Sequence, residues 1–237
     1  MPKLPKQPQP PLETSLHELL EVMRPQSDAQ DTTTSHVCPI CTLVQRSIER
    51  QMRAFFAEFV NDPTARAQFR KSRGFCIHHT PLILELGDAL AISILYADLA
   101  ERTHQGWRKG RKWRFIAGGN NTGGQSWSPC HACAAEMEAG VRYTEALAAG
   151  LERAEVWASV EAEERLCLDH VVGVMVRAKP AVALRFQELE AVRMERIQAE
   201  LEEFIRKNDY RFRGEAWGKE RDAWQRALLK LSRPRGM

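Results

Sequence analysis

Six cysteines and two histidines fall into four short units: Cys38-x2-Cys41, Cys76-x2-His79, Cys130-x2-Cys133 and Cys167-x2-His170. No cysteine is left over. Thiolate and imidazole are the ligands of tetrahedral zinc, and an x2 spacing lets one backbone turn present two of them to a single ion. Two such units make a closed site of three cysteines and one histidine (CCCH). The first two units are separated by 34 residues and the last two by 33, so the chain carries the pattern twice. Two structural Zn2+ ions per chain are expected.

Other chemistries for these residues are less well served. A thioredoxin-like couple needs a βαβ setting, which is missing. Haem attachment needs His directly after the second cysteine, where Thr42 and Ala134 stand. An iron-sulfur cluster on the same CCCH ligands stays open as the alternative cofactor. Ligands could be paired within each half of the chain, or crossed so that Cys38, Cys41, Cys130 and Cys133 make an all-cysteine site. Pairing within halves is preferred, because closing a loop of about 35 residues costs less entropy than one of about 90. Spacing selects His79 over His78. His131 is read as facing solvent, and His17, His36 and His104 as surface residues.

The elements that must position these ligands read as helices. From Pro39 to Val60 apolar residues recur at helical spacing, and Asp62-Pro63 stops that run and starts the next. Leu82 to Arg102 reads as one apolar helix and the core of the first half. Residues 105–129, QGWRKGRKWRFIAGGNNTGGQSWSP, break the pattern and read as a long loop, or a small hairpin around GGNNTGG. Helices resume over about 132–151, 156–165, 181–207 and 219–231. Each ligand unit precedes an apolar-periodic segment, which places its thiols near a helix N-terminus, where free NH groups favour thiolate. Shifted by 92 residues, Met52 meets Thr144, Phe55 meets Leu147 and Phe59 meets Leu151, a faint echo of the ligand repeat.

An all-α protein in two pseudo-repeated halves follows, built of helical hairpins with a CCCH site pinning each half. Residues 1–35 form a proline-rich leader with a short helix from Ser15 to about Met23. The first half spans 36–104, a basic Trp/Gly loop 105–129, and the second half 130–237 with a long C-terminal helix.

A hydrophobic content of 43% supports a real core, and a net charge of +3 over 237 residues implies no polyanion partner by itself. No apolar run reaches membrane-spanning length, because Glu85, Asp88 and Asp98 interrupt the best candidate. The N-terminus lacks the apolar stretch of a secretory signal. A cytoplasmic location is expected, where thiols stay reduced and metal binding explains six cysteines better than disulfides do.

Together CPIC, NDP, GFCIHH, GDALAISILYADL, CHAC, LCLDH, EFIRKNDYRF and EAWGKERDAW resemble a bacterial family of unknown function whose members are sometimes labelled ABC transporter substrate-binding proteins. The likeness covers about residues 36–231. It implies two CCCH-type sites on a helical scaffold and no particular activity. The transporter label has no support in the residues: no lipidation cysteine lies near the N-terminus, and there is no α/β alternation.

Three further features bear on function. WRKGRKWRF puts Arg108, Lys109, Arg111, Lys112 and Arg114 among Trp107, Trp113 and Phe115, a composition suited to phosphate contacts and base stacking, or to a loop anchored by its tryptophans. NDYRF ends the long helix, and its Tyr210 and Phe212 are expected to pack inward while Arg211 meets a carboxylate. Trp217 and Trp224, seven apart, are expected on one helical face. No nucleophile elbow, phosphate loop, dinucleotide turn or His-Glu-x2-His helix occurs, and four protein ligands leave a zinc no open position. The motifs therefore weigh against an enzyme and name no catalytic residue. They favour a binding or scaffold protein with an unidentified protein partner, with nucleic acid through the 107–115 segment, or a redox or metalloenzyme role, as the alternatives. Oligomeric state is not readable.

Overall fold

A computed structural model describes residues 11–24, 36–108, 128–212 and 214–232. Among them no strand occurs, so the all-α expectation holds. The small hairpin expected around GGNNTGG and the rest of the leader lie outside the described residues.

Helix α1 (Leu12–Met23) buries Leu16, Leu19 and Met23 at helical spacing. Helix α2 (Pro39–Ala54) runs on into a π-helical turn, Phe55–Phe59, which keeps the consecutive Phe55 and Phe56 both buried. Asp62 then caps α3 (Pro63–Ser72), accepting from the Ala65 N–H at 2.7 Å, with Pro63 in the first turn. The segment expected as one helix from Leu82 to Arg102 is instead two, α4 (Thr80–Leu86) and α5 (Ala89–Arg108). Gly87 ends α4 in the left-handed region (φ 72°), and Asp88 accepts from the Ala91 N–H at 2.8 Å to start α5. Residues 105–108 of the expected loop are instead the last turn of α5. Nor is this segment the core: Leu84 and Leu90 are 70% and 72% exposed, while Phe55, Phe56, Phe69 and Phe75 are buried edge to face, with centroids 5.3–6.3 Å apart.

The second set is α6 (His131–Gly150), α7 (Ala154–Ala162), α8 (Leu168–Arg177) and the 28-residue α9 (Pro180–Lys207). It is followed by α10 (Ala223–Leu231). Helices α2 to α5 and α6 to α9 correspond in order, and their first residues, 39 and 131, 63 and 154, 80 and 168, 89 and 180, lie 88 to 92 residues apart. The pseudo-repeat heard faintly in the sequence is thus a repeat of four helices.

Two compact units result, one of residues Gln45–Ala139 and the other of Pro10–Val44 with Gly140–Met237. Their composition does not follow the chain halves. The first turn of α2 belongs to one unit and the rest of that helix to the other, and α6 is divided in the opposite sense. In the second unit α9 packs against both α8 and α10, and α1 packs on α7. No described helix is long and apolar enough to cross a membrane.

Candidate metal centres

All eight predicted ligands fall into two groups, each within one unit. Cys76, His79, Cys130 and Cys133 form one, and Cys38, Cys41, Cys167 and His170 the other. The preferred pairing within chain halves is therefore overturned: the inner two units pair with each other, and so do the outer two. The all-cysteine crossing is not formed either. Chain entropy is too weak to decide the matter, since lengthening a loop from about 35 to about 126 residues adds only ~1 kcal/mol. Helix packing decides instead, by placing the first turns of α2 and α6 in opposite units.

In the inner cluster six ligand-to-ligand distances define a tetrahedron. The sulfur pairs are Cys76–Cys133 at 3.6 Å, Cys76–Cys130 at 3.8 Å and Cys130–Cys133 at 3.5 Å. His79 Nδ1 lies 3.2, 3.7 and 3.4 Å from the sulfurs of Cys76, Cys130 and Cys133. An ion bound tetrahedrally at zinc–ligand lengths requires S···S edges of about 3.8 Å and S···N edges of about 3.5 Å. The donor set fits. In the outer cluster Cys41 and Cys167 sulfurs are 3.8 Å apart, and His170 Nδ1 is 3.6, 3.4 and 3.1 Å from Cys38, Cys41 and Cys167. All six cysteines are free thiols.

Local sequence builds these corners. Cys38 and Cys130 stand directly before α2 and α6, Cys167 is the N-cap of α8, and His79 that of α4. Each Cys-x2-Cys unit therefore places its second thiol in the first helical turn, where the N–H groups lack partners one turn back along the helix, and the Cys133 N–H donates to Cys130 Sγ at 3.4 Å. Behind Cys76, the chain turns through Arg73 and Gly74, both at positive φ (57° and 87°), and the Phe75 N–H donates to the Tyr96 hydroxyl at 3.2 Å. A Cβ on Gly74 would sit 2.8 Å from that hydroxyl oxygen, so only glycine fits.

The crowded thiols and imidazoles perturb one another. The Cys130 hydrogen bond, followed by Glu136, pushes the His79 imidazole up to about 10. Burial would raise Cys130, but its hydrogen bonds, led by that of His79, bring it down to about 6. Burial and the neighbouring Cys130 push Cys133 up to about 12. In the outer cluster hydrogen bonds from Cys38 and Cys41 lower Cys167, while Cys167 and Cys38 raise Cys41. Burial opposes protonation of His170, yet the thiols of Cys167 and Cys38 hold it up at about 10. A dication bound among such thiols would release their protons.

Glu136, which motif spacing did not single out, neighbours the candidate ligand His79. Its carboxylate lies 3.4 Å from His79 Nε2, on the ring edge opposite the thiols, and the His79 hydrogen bond lowers its pKa. The signal was present: Glu136 is three residues after Cys133, on the same face of α6.

The remaining histidines divide. His78, His17 and His104 are exposed, and His36 is half-buried against Asp222 at 3.4 Å. His131 is buried, not solvent-facing. Its ring lies 4.5 Å from Phe55 and 6.2 Å from Phe69, neither ring nitrogen has a hydrogen-bond partner among the described residues, and burial pushes its pKa down to about 4. The aromatic core of this unit extends to the residue beside Cys130 and encloses it.

Trp107, 64% exposed, and the exposed Arg108 end α5. Lys109, Arg111, Lys112, Trp113 and Arg114 lie outside the described residues. Tyr210 is 76% exposed rather than packed inward, at the start of the 3-10 turn by which the chain leaves α9. Phe212 is half-buried beneath the Arg206 guanidinium at 4.5 Å, and Arg211 pairs with Asp209 at 2.6 Å. Trp217 is not helical and packs on Phe204 at 5.2 Å, so it shares no helical face with Trp224.

An all-helical chain with two Cys/His clusters of reciprocal composition defines the class of protein. The chain belongs to a family of unknown function (DUF6062), whose profile matches residues 6–105 and 119–235. An uncharacterised 23.9 kDa protein in the xynA 3′ region of Caldicellulosiruptor sp. (strain Rt8B.4) is 29% identical over 178 residues, covering 73% of this chain and 83% of that one. No solved structure matches.

Proposed function

We propose that this is a zinc protein of the cytoplasm, in which each cluster holds one structural Zn2+ and the helical scaffold serves to bind a partner protein. The tetrahedral edges of the inner cluster, 3.2–3.8 Å throughout, carry the reading. They suit a single ion, whereas bridging sulfides between several irons would hold the ligands further apart. Cys76, His79, Cys130 and Cys133 hold one ion, and Cys38, Cys41, Cys167 and His170 the other. With four protein ligands each, the ions tie helix ends together and present no open coordination position. Native mass spectrometry combined with elemental analysis tests this directly. Two zinc ions per chain are expected, and a folded chain without metal, or one with iron and sulfide, would overturn the assignment.

A further inference from the structure

The outer cluster is built from two chain segments far apart in sequence, and one short helix reaches both. At its N-terminus α10 is preceded by Asp222, whose Oδ2 lies 3.4 Å from His36 Nε2, two residues before Cys38. In its last turn Lys230 Nζ donates to the carbonyl of Leu166, one residue before Cys167, at 3.0 Å. Residues 163–167 are irregular backbone, and the approach to Cys167 is held to helices by Arg165, which donates to the Val22 carbonyl of α1 at 3.2 Å, and by Lys230 at the residue next to Cys167.

Lys230 is a costly choice for that task. It is 3% exposed, and its ammonium is neutralised by Glu190 Oε2 at 2.7 Å. Glu190 also pairs with the buried Arg193, which donates to the carbonyls of Val160 and Glu161 at the end of α7. An apolar side chain would fill this volume without the desolvation penalty. What it could not do is hold the Leu166 carbonyl. Arg226, between the two contacts, bonds Asp222 at 2.8 Å and pairs with Glu200 at 2.6 Å, fastening α10 to α9. His36, Arg165, Arg226 and Lys230 help to line a cavity of about 30 Å³ behind both segments, room for a water or two and for no organic ligand.

We propose that α10 is the retaining element of the outer metal centre, with Lys230 and Asp222 as positioning residues that hold the Cys167 and Cys38 segments together. This rests on the zinc reading above. Undocking of α10 frees both segments at once, so its stability sets how fast that one ion leaves. The inner cluster belongs to the other unit and has no contact with Lys230 or Asp222 among those described.

Release of zinc to an excess of a chromogenic chelator tests the proposal in the full-length chain. Lys230→Met is expected to accelerate loss of one of the two ions by at least about tenfold, the usual scale for removing an outer support of a ligand, with the second ion's rate unchanged. In a Cys76→Ser background, which removes a ligand of the inner cluster, the remaining ion should be the fast one. Asp222→Ala, at a half-exposed position, should give a smaller acceleration of the same ion and guards against a misfolded Lys230 variant. Wild-type rates in both variants, or equal acceleration of both ions, would overturn the proposal. A wild-type chain that carries no zinc would instead overturn the metal reading on which it rests.

Discussion

Cys41 Sγ lies 3.8 Å from Cys167 Sγ across a sequence separation of 126 residues, and the other cluster is closed entirely inside that span. The two sets of helices have exchanged candidate ligands: the thiols at the first helix of each set join those at the third helix of the other. Metal counting in paired variants reads this out. Cys38→Ser with Cys167→Ser damages one cluster only, so one ion per chain should remain. Cys38→Ser with Cys76→Ser damages both and should leave none. Pairing within halves would give the reverse, and elemental analysis of the two double variants decides between them.

Glu136 faces His79 Nε2 at 3.4 Å. When Nδ1 is given to an ion, Nε2 carries the proton and donates it to this carboxylate, which fixes the tautomer and makes the ring a better ligand. Glu136→Gln keeps the size of the side chain and weakens that acceptor. Zinc affinity at the inner cluster should fall by roughly 10–100-fold while the outer cluster keeps its own. Competition with a calibrated chelator measures both, and unchanged affinity at the inner cluster would remove Glu136 from this role.

Much of this was legible in the chain and some was not, for physical reasons. Apolar periodicity fixed most helices, Asp62-Pro63 marked a true boundary, and the x2 units named the residues that come together. Gly87-Asp88, a left-handed stop followed by an N-cap, was also written in the sequence, but the apolar run around it obscured it. Pairing was not legible, because it depends on which helix turns share a unit, and loop length carries too small an energy to decide. Burial of His131 was hidden for a similar reason: its neighbours Phe55 and Phe69 come from distant segments.

Glu220 gives a pH-dependent prediction. It accepts from the Gly218 N–H at 2.7 Å and from Lys207 at 2.6 Å, and these hold its pKa down at about 2. A carboxyl whose folded pKa is depressed contributes stability that is present above its unfolded pKa and lost as pH falls through the folded value. Glu220→Gln removes that contribution. The difference in urea midpoint between wild type and variant should be greatest above about pH 4.5, near the unfolded pKa, and close as pH approaches 2. A difference that stays constant across that window would show that the Lys207 and Gly218 contacts do not act through ionisation.

His131 is a buried polar ring whose nitrogens have no hydrogen-bond partner among the described residues, set against Phe55 and Phe69 beside Cys130. A buried donor or acceptor without a partner costs about 1–3 kcal/mol, so an apolar side chain of similar volume should fit the same cage at lower free energy. His131→Leu is expected to raise the stability of the zinc-loaded protein by about 1–2 kcal/mol with its metal content unchanged. Urea unfolding with elemental analysis checks both halves of the statement. A destabilised variant that still binds two ions would mean that the ring nitrogens make a contact worth more than their burial costs. Loss of one ion would mean that this ring, although outside the tetrahedron, holds Cys130 in place.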